Sequence, residues 1–196
     1  HRPAHRFTHG VHVVAEAGVH HHRHAPDTRV PGRTPVLAIQ GDATLELAGS
    51  PLSFRLAWKG RPVTQSITDL HFGGHTRLPA FGRVRASPRW IASLALSSGE
   101  PVYGLGEKFG PLNKRGQLIH SRVEDALGVN TGLAYKNTPF AWGPGTGGGA
   151  WGVFVNTPAS VDHGVGHPQW SHRSYVAALA DEALDLFLFA GETPAE

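Results

Sequence analysis

The chain has 196 residues, 40% of them hydrophobic, so it is long enough to bury a substantial core. It carries a net charge of +3, but its 18 basic residues are scattered singly, so no nucleic-acid partner is predicted. The absence of cysteine excludes disulfides and thiolate nucleophiles, and no apolar run approaches the ~18 residues of a membrane-spanning helix.

Short strands are predicted along the whole chain, because 25 glycines and 15 prolines leave little room for long helices. Leu52 to Trp58 alternates apolar and polar residues, which predicts a strand with one buried face. Two continuous apolar runs, Ala150 to Asn156 and Leu184 to Ala190, predict strands buried on both faces. Other predicted strands are Val11 to Ala17, Thr44 to Ala48 and Trp90 to Leu96. This spacing predicts an all-β fold, an antiparallel sandwich or barrel.

Three segments are predicted to be loops: Val19 to Pro35, His120 to Asn137 and Gly143 to Gly149. The first belongs to a loosely ordered start, residues 1–35, and contains the cluster His20 to His24. Imidazoles bind zinc, nickel and copper, but a structural metal site needs ligands that converge from separate elements. The cluster therefore predicts no metal site, and no cofactor is predicted elsewhere.

Glycine-rich stretches raise the possibility of a phosphate site. Tyr103 to Gly116 combines four glycines, a proline and four charged residues, which predicts a tightly folded loop. Three residues, not two, lie between its second and third glycines, and Pro111 follows, so the dinucleotide-binding pattern is missing. Gly143 to Gly149 lacks the Gly-Lys-Ser/Thr ending of a P-loop. Both stretches are predicted to be turns.

Paired carboxylates are the next candidate, because hydrolases can hold two of them about 5–5.5 Å apart across a scissile bond. Glu124 and Asp125 are adjacent, and in an extended chain their side chains point to opposite faces. No Ser-His-Asp set can be identified from the sequence, since such triads are recognised by geometry. The sequence therefore predicts no catalytic residue within this chain.

Exposed tryptophans can stack against sugar faces. Trp58 and Trp151 lie within strand patterns, which predicts that they belong to the core. Trp142 lies beside the glycine-rich loop and Trp170 follows Pro168, so these two are the candidates for exposure.

Four stretches in the second half of the chain resemble, in order, motifs of the N-terminal domain of glycoside hydrolase family 31. That family includes α-glucosidases and α-xylosidases. The resemblance spans residues 100–196, and the first 99 residues match only loosely, as short strands. The four stretches are Tyr103 to Gln117, Glu124 to Phe140, Trp151 to Pro158 and Leu184 to Pro194.

The resemblance implies one antiparallel β-sandwich of the galactose-mutarotase-like type over residues 1–196. In the family this domain precedes a (β/α)8 barrel that carries an aspartate nucleophile and an aspartate acid/base. Glu196 lies about where the linker to that barrel would begin. The implied role is the non-catalytic N-terminal domain of a retaining exo-α-glycosidase, α-xylosidase-like or α-glucosidase-like. The stretch Tyr135 to Phe140 leans towards the α-xylosidase branch.

The resemblance also implies one substrate-binding residue. In the family a loop of this domain reaches the barrel and shapes the sugar site, often with an aspartate, and Asp125 occupies the matching position. A carboxylate suits that task because it accepts charge-assisted hydrogen bonds from two hydroxyls at once. The alternative is that Asp125 caps nearby backbone amides. Just before it, His120 to Val123 departs from the family pattern.

Two other functions remain open at this stage. One is a stand-alone carbohydrate-binding module. The other is a mutarotase-like epimerase, which would need a positioned histidine and glutamate in the cleft of the sandwich. The expected partners are a carbohydrate substrate and the chain's own downstream barrel, with no nucleic acid and no membrane; a homo-oligomer is left open.

Overall fold

The computed structural model describes residues 10–16, 36–48, 53–67, 71–72, 76–77, 80–83, 89–124, 132 and 134–195. These described residues form sixteen strands and no helix. The strands are β1 (Gly10–Glu16), β2 (Val36–Gln40), β3 (Ala43–Ala48), β4 (Ser53–Trp58), β5 (Arg61–Gln65), β6 (His71–Phe72), β7 (Thr76–Arg77), β8 (Phe81–Arg83), β9 (Trp90–Ala95), β10 (Tyr103–Gly104), β11 (Gln117–Ser121), β12 (Phe140–Pro144), β13 (Ala150–Val155), β14 (Val161–Val165), β15 (Ser174–Leu179) and β16 (Ala183–Gly191).

The strands form three sheets and a hairpin. Sheet I has the order β1-β16-β13-β12-β10, and sheet II has the order β11-β14-β15-β9-β8. Sheet III is the meander β2-β3-β4-β5, and β6 pairs with β7. Neighbouring strands are antiparallel throughout. The six predicted strands are present, each with its ends within about a residue of the prediction.

One hydrophobic core joins the inner faces of sheets I and II. Leu186 of β16 and Val153 of β13 meet Leu94 of β9 and Tyr175 of β15 in the same buried cluster. Each fully buried side chain of this size stabilises the fold by roughly 1.5–3 kcal/mol. The prediction of an antiparallel β-sandwich is therefore confirmed.

Sheet III extends this core. The alternation predicted for β4 is confirmed in its described part, because Phe54, Leu56 and Trp58 are buried while Arg55 is exposed. A β-bulge between Leu56 and Ala57 shifts the register with β5, which places Val63 in the core.

The outer faces of the two large sheets differ. On sheet II, Ile91, Val176 and Ala178 form a second buried cluster, against which Ile67 and Trp170 pack. On sheet I, the outward side chains Phe154, Phe187 and Phe189 are only half-buried. Sheet II is therefore covered by residues of the described chain, and sheet I presents aromatic rings.

The prediction that Leu184 to Ala190 is buried on both faces is wrong. Along β16 burial alternates, with Leu184, Leu186 and Leu188 buried and the residues between them half-buried. The run looks largely apolar in sequence because phenylalanines occupy two of its three outward positions, 187 and 189, while Asp185 occupies the third. In β13 the prediction is confirmed except at Phe154, which is half-buried on the same outer face.

One histidine lies fully inside the sandwich. His163 of β14 shares a 2.8 Å hydrogen bond between its Nδ1 and the Tyr175 hydroxyl, and its Nε2 has no partner among the described residues. Burial lowers the pKa of His163 to about 3, and burial raises the pKa of Tyr175. The nearby charges of Asp162, Lys108 and His120 have smaller effects on the pKa of His163. His163 is therefore neutral in the folded chain.

This burial predicts a pH-dependent stability. In the unfolded chain His163 binds a proton below pH 6.5, whereas in the folded chain it stays neutral down to about pH 3. Its contribution is therefore complete above pH 6.5 and falls by about 1.4 kcal/mol for each pH unit below that value, until the folded pKa of about 3 is reached. Urea unfolding between pH 7.5 and 4.5 measures the slope. His163→Gln retains a hydrogen-bonding group for Tyr175 and should reduce it, while equal slopes in both proteins would contradict the assignment.

Candidate functional site

The turn at Gly104-Leu105-Gly106 has three consecutive left-handed residues, with φ angles of 97°, 67° and 79°. Leu105 is the unusual one, because a side chain in this conformation costs roughly 1–2 kcal/mol. Its side chain is 0% exposed, and its N–H donates to the Phe140 carbonyl at 2.8 Å. Burial of a leucine stabilises by roughly 1.5–3 kcal/mol, which exceeds the backbone cost.

The two glycines of this turn are required by close contacts. A Cβ on Gly104 would lie 2.3 Å from the Phe140 carbonyl oxygen, and one on Gly106 would lie 2.4 Å from that of Lys136. The turn is thus pressed against the backbone of residues 136–140. It is a structural turn, as predicted.

The glycines of residues 143–149 also allow close packing. A Cβ would come within 2.9 Å of Val63 at Gly145, 2.6 Å of the Pro62 carbonyl oxygen at Gly147, and 2.7 Å of the Gly191 carbonyl oxygen at Gly149. This loop lies against β5 and the end of β16. It is a tight turn, as predicted.

The loop proposed from the sequence to contact sugar has a described stem. We define the loop stem as residues 120–124, 132 and 134–137. Its two sides are joined by a parallel bridge between Val123 and Ala134 and by a 3.4 Å hydrogen bond from the Glu124 N–H to the Ala134 carbonyl. The Glu124 carboxylate pairs with Arg122 at 2.8 Å. Asp125 itself lies outside the described residues.

Lys108 and Asn137 connect this stem to the turn. The Lys108 Nζ donates to the His120 carbonyl at 2.8 Å, to the Gly132 carbonyl at 3.3 Å and to the Asn137 Oδ1. The Asn137 Nδ2 donates to the carbonyls of Arg122 at 2.8 Å and Ala134 at 2.7 Å. Partial burial, and after it the charge of Lys114, lower the pKa of Lys108.

A groove of about 490 Å³ lies on the outer face of sheet I. Aromatic rings of Phe140, Trp142, Phe154 and Phe189 line it, and its polar side chains are two threonines. No acid and no histidine is among its lining residues. The groove therefore offers a largely apolar surface without a carboxylate or an imidazole. Its lining consists of Thr138, Phe140, Trp142, Ala150, Trp151, Gly152, Phe154, Phe189, Ala190, Gly191, Thr193, Pro194 and Ala195.

The tryptophans follow the predictions in part. Trp58 and Trp151 are core residues, 3% and 1% exposed. Trp142 is half-buried in the groove and packs against Tyr103, with ring centroids 4.7 Å apart. Trp170 is half-buried, but it packs on the backbone of Gly164 and on the outer cluster of sheet II. Of the two candidates for exposure, only Trp142 lines a groove.

Several acids are held by neighbouring donors. Glu100 is buried and accepts hydrogen bonds from the Trp151 Nε1 at 2.9 Å and the Ser97 N–H at 2.8 Å. At the end of β16, Glu192 pairs with Lys59 at 3.5 Å and Arg61 at 3.3 Å. The first acid fixes the approach to the turn, and the second fixes the end of β16 against the β4–β5 hairpin.

Asp162 forms a partly exposed cluster with Arg89 and His120. It accepts from the His120 Nδ1 at 2.6 Å and from Arg89 at 2.5 Å. Burial raises the pKa of the Asp162 carboxyl, but the hydrogen bonds and charges of His120 and Arg89 outweigh this effect, so the net pKa is lowered. The cluster stabilises the β11–β14 pair at its surface.

Within the described residues no group of three or more histidine, cysteine or acidic residues is arranged to hold a metal ion. The cluster His20 to His24 lies outside those residues. The described chain also contains no helix with the length and hydropathy needed to cross a membrane.

Comparison with known families identifies the domain. Residues 20–162 match the model of the glycosyl hydrolase 31 N-terminal galactose mutarotase-like domain. The chain belongs to this family. The resemblance to family 31 is thereby confirmed, with a match that covers residues 100–162 of the resembling part and reaches back to residue 20. The observed sandwich agrees with it.

The most informative relatives of this family 31 domain are an enzyme sequence and two solved structures. An α-xylosidase of Emericella nidulans is 38% identical over 106 residues, which are 54% of this chain and 13% of the relative. A cycloalternan-forming enzyme of Listeria monocytogenes has a TM-score of 0.73 at 17% identity, over 94% of this chain and 18% of that one. An α-xylosidase from a soil metagenome has a TM-score of 0.64 at 16% identity, over 96% and 29%. At these identities the two structures show the shared fold alone.

The close packing of the turn predicts a large effect of a small substitution. Gly106→Ala should lower the free energy of unfolding by about 2 kcal/mol or more, because the new Cβ meets backbone atoms and the left-handed φ is strained. Gly132→Ala is the matched control, since nothing lies within 4 Å of its Cβ position, and it should change stability by less than about 0.5 kcal/mol. Equal effects in urea unfolding would contradict the tight turn.

Proposed function

We propose that this family 31 domain is the non-catalytic N-terminal part of a retaining exo-α-glycosidase that hydrolyses terminal α-linked sugars. An α-xylosidase-like enzyme is the first choice and an α-glucosidase-like enzyme the second. The observation that carries the proposal is the 38% identity to the α-xylosidase of Emericella nidulans over 106 residues. The chain spans 13% of that relative's length. In the proposed enzyme the catalytic aspartates belong to a downstream (β/α)8 barrel.

We further propose that Asp125 contacts the sugar. Its place directly after Glu124 in the joined stem supports this role, because both ends of the loop are held by described backbone contacts. The nearby surface is unusually apolar. Among the described residues the exposed large hydrophobic side chains are Phe109 at 60%, Leu112 at 83%, Val123 at 70% and Tyr135 at 56%. Phe109 follows Lys108, and Val123 and Tyr135 belong to the stem, as expected for a surface that another domain covers.

We propose that the downstream barrel packs against the groove on sheet I. Segment 134–140 connects the stem to the groove, because Thr138 and Phe140 line the groove and Ala134 belongs to the stem. Gly191, the last residue of β16, and Thr193 to Ala195 beyond it also line the groove. A domain that follows these residues and covers the aromatic rings would thus lie beside the loop that carries Asp125.

A carbohydrate-binding module is the second candidate, and the half-buried Trp142 in the groove favours it. A sugar site, however, combines an aromatic platform with several polar groups, and here the polar side chains are Thr138 and Thr193. The apolar lining therefore favours a protein surface as the occupant. The epimerase alternative has less support, because the groove contains neither histidine nor glutamate and His163 is fully buried.

Activity and sugar binding of the isolated chain distinguish the proposed glycosidase domain from the alternative functions. The full-length protein should hydrolyse 4-nitrophenyl α-xyloside, and the purified 196-residue chain should not. Hydrolysis by the isolated chain at an enzyme-like rate would contradict the proposal. Calorimetric titration of the isolated chain with xylose and xylo-oligosaccharides tests the binding module, and binding that Trp142→Ala abolishes would establish that alternative instead.

Asp125→Ala in the full-length enzyme tests the sugar contact. Loss of charged hydrogen bonds worth roughly 1.5–3 kcal/mol should lower kcat/KM by about 10-fold or more. Glu124→Gln is the neighbouring control, because this carboxylate is paired with Arg122, and it should change kcat/KM by less than about 3-fold. An unchanged kcat/KM in Asp125→Ala would remove Asp125 from the sugar site.

Phe189→Asp tests the groove as the seat of the barrel. In the isolated chain Phe189 is half-buried, so the substitution should lower the free energy of unfolding by about 1 kcal/mol. In the full-length protein it would bury a charge against a second domain and should destabilise by several kcal/mol. Differential scanning calorimetry of both pairs gives the comparison. Equal destabilisation in the two contexts would place the groove outside the domain interface.

A further inference from the structure

We propose that Lys108 and Asn137 are positioning residues that fix the loop stem relative to the core, and so set the place from which Asp125 meets the sugar. This inference rests on the proposed function, because its effect on activity passes through Asp125. It assigns a role to the Glu-Lys-Phe-Gly part of the Tyr103 to Gly116 turn. The family resemblance marked that turn without explaining it.

The hydrogen bonds of Lys108 account for its whole donor capacity. An ammonium group has three N–H donors. The Lys108 Nζ donates to three acceptors, which are two backbone carbonyls of the stem and the side-chain oxygen of Asn137. The acceptors lie on both sides of the stem, His120 on the incoming side and Gly132 and Asn137 on the outgoing side. None of the three is a carboxylate. Within the part of the chain that the structure describes, Lys108 therefore acts as a three-way tie between neutral acceptors.

Asn137 completes the connection across the stem. Its amide oxygen accepts from Lys108, and its amide nitrogen uses both N–H groups, one on each side of the stem. Arg122 belongs to the side that enters the loop and Ala134 to the side that leaves it. The two residues together join the turn, the incoming side and the outgoing side in one network.

The network is anchored in the core by its neighbour in sequence. Leu105, three residues before Lys108, is fully buried, and Gly106 rests against the backbone of Lys136. Lys108 and Asn137 are themselves only half-buried, and neither belongs to the hydrophobic core cluster. Their partners are groups of the stem. This placement suits residues that orient a loop more than residues that hold the sandwich together.

A lysine at this place carries an electrostatic penalty. Partial burial, and the charge of Lys114, disfavour the charged form of Lys108 and lower its pKa. A neutral side chain would avoid that penalty but could not donate to three acceptors. The geometry of the stem therefore supplies the physical reason for an ammonium group at position 108. Positioning of this kind matters for activity because misplacement of a contact by about 1 Å can lower a rate by 100-fold.

Lys136 provides a matched control within the same segment. It is also a lysine, it precedes Asn137, and its Nζ pairs with Glu107 at 3.2 Å on an exposed surface. Among the described residues its side chain makes no hydrogen bond to the stem backbone, and exposed ion pairs of this kind contribute little. Replacement of Lys136 therefore removes a charge near the stem without removing the tie.

The test is a double-mutant cycle in the full-length enzyme. Lys108→Met retains the length of the side chain and removes its donors, and it should lower kcat/KM for 4-nitrophenyl α-xyloside by at least 10-fold. In an Asp125→Ala background the same substitution should change kcat/KM by less than 2-fold, because both substitutions remove the same contact. Lys136→Met should stay within 2-fold of the wild type. Equal effects of Lys108→Met in both backgrounds would overturn the proposal.

Hydrogen exchange supplies a readout that does not depend on activity. The Glu124 amide, which donates to Ala134, should exchange at least 10-fold faster in Lys108→Met and in Asn137→Ala, while amides of β13 and β15 keep their rates. Unchanged exchange at Glu124 in both variants would also overturn the proposal. If the full-length wild type hydrolyses no α-glycoside, the proposed function fails, and exchange at Glu124 still decides whether the tie exists. Asn137→Ala serves if Lys108→Met does not fold.

Discussion

The close approach of the Gly104-Leu105-Gly106 turn to residues 136–140 is the constraint on which the rest of the site depends. Leu105 accepts a left-handed backbone because its side chain is buried in the core, and the flanking glycines leave no room for a Cβ. That contact places Lys108 beside the stem and starts the strand β12 that lines the groove. One local backbone geometry therefore connects the core, the loop stem and the outer face of sheet I.

The two outer faces of the sandwich explain why this domain is suited to work beside another. Sheet II is closed by Ile67 and Trp170, so its outer residues are buried by the described chain itself. Sheet I instead presents Phe154, Phe187 and Phe189, and Thr193 to Ala195 line the groove on the same face. An apolar face of this kind is stable in water only at a cost, and burial against a second domain would remove that cost. The proposed barrel gives this face a partner.

Much of the site could be inferred from sequence, but the reasons differ between residues. Asp125 was inferred from a motif, because a family pattern preserves order along the chain. Lys108 was visible only as one charge of a loop, since its acceptors lie 12 to 29 positions further along. No local pattern encodes a bond between residues so far apart. The prediction that β16 is buried on both faces was wrong for a related reason. Periodicity cannot distinguish an outer face that is buried from an outer face that presents aromatic rings.

The sequence by itself determined the fold class, the places of the six predicted strands, the tight turns and the family. These properties follow from local chemistry: alternation, glycine and proline content, and motif order. Only the tertiary structure decided which apolar residues are inside, that His163 is buried beside Tyr175, and that Lys108 ties three segments together. Such features depend on which strands become neighbours, and that pairing is decided by packing over the whole sandwich rather than by any one segment.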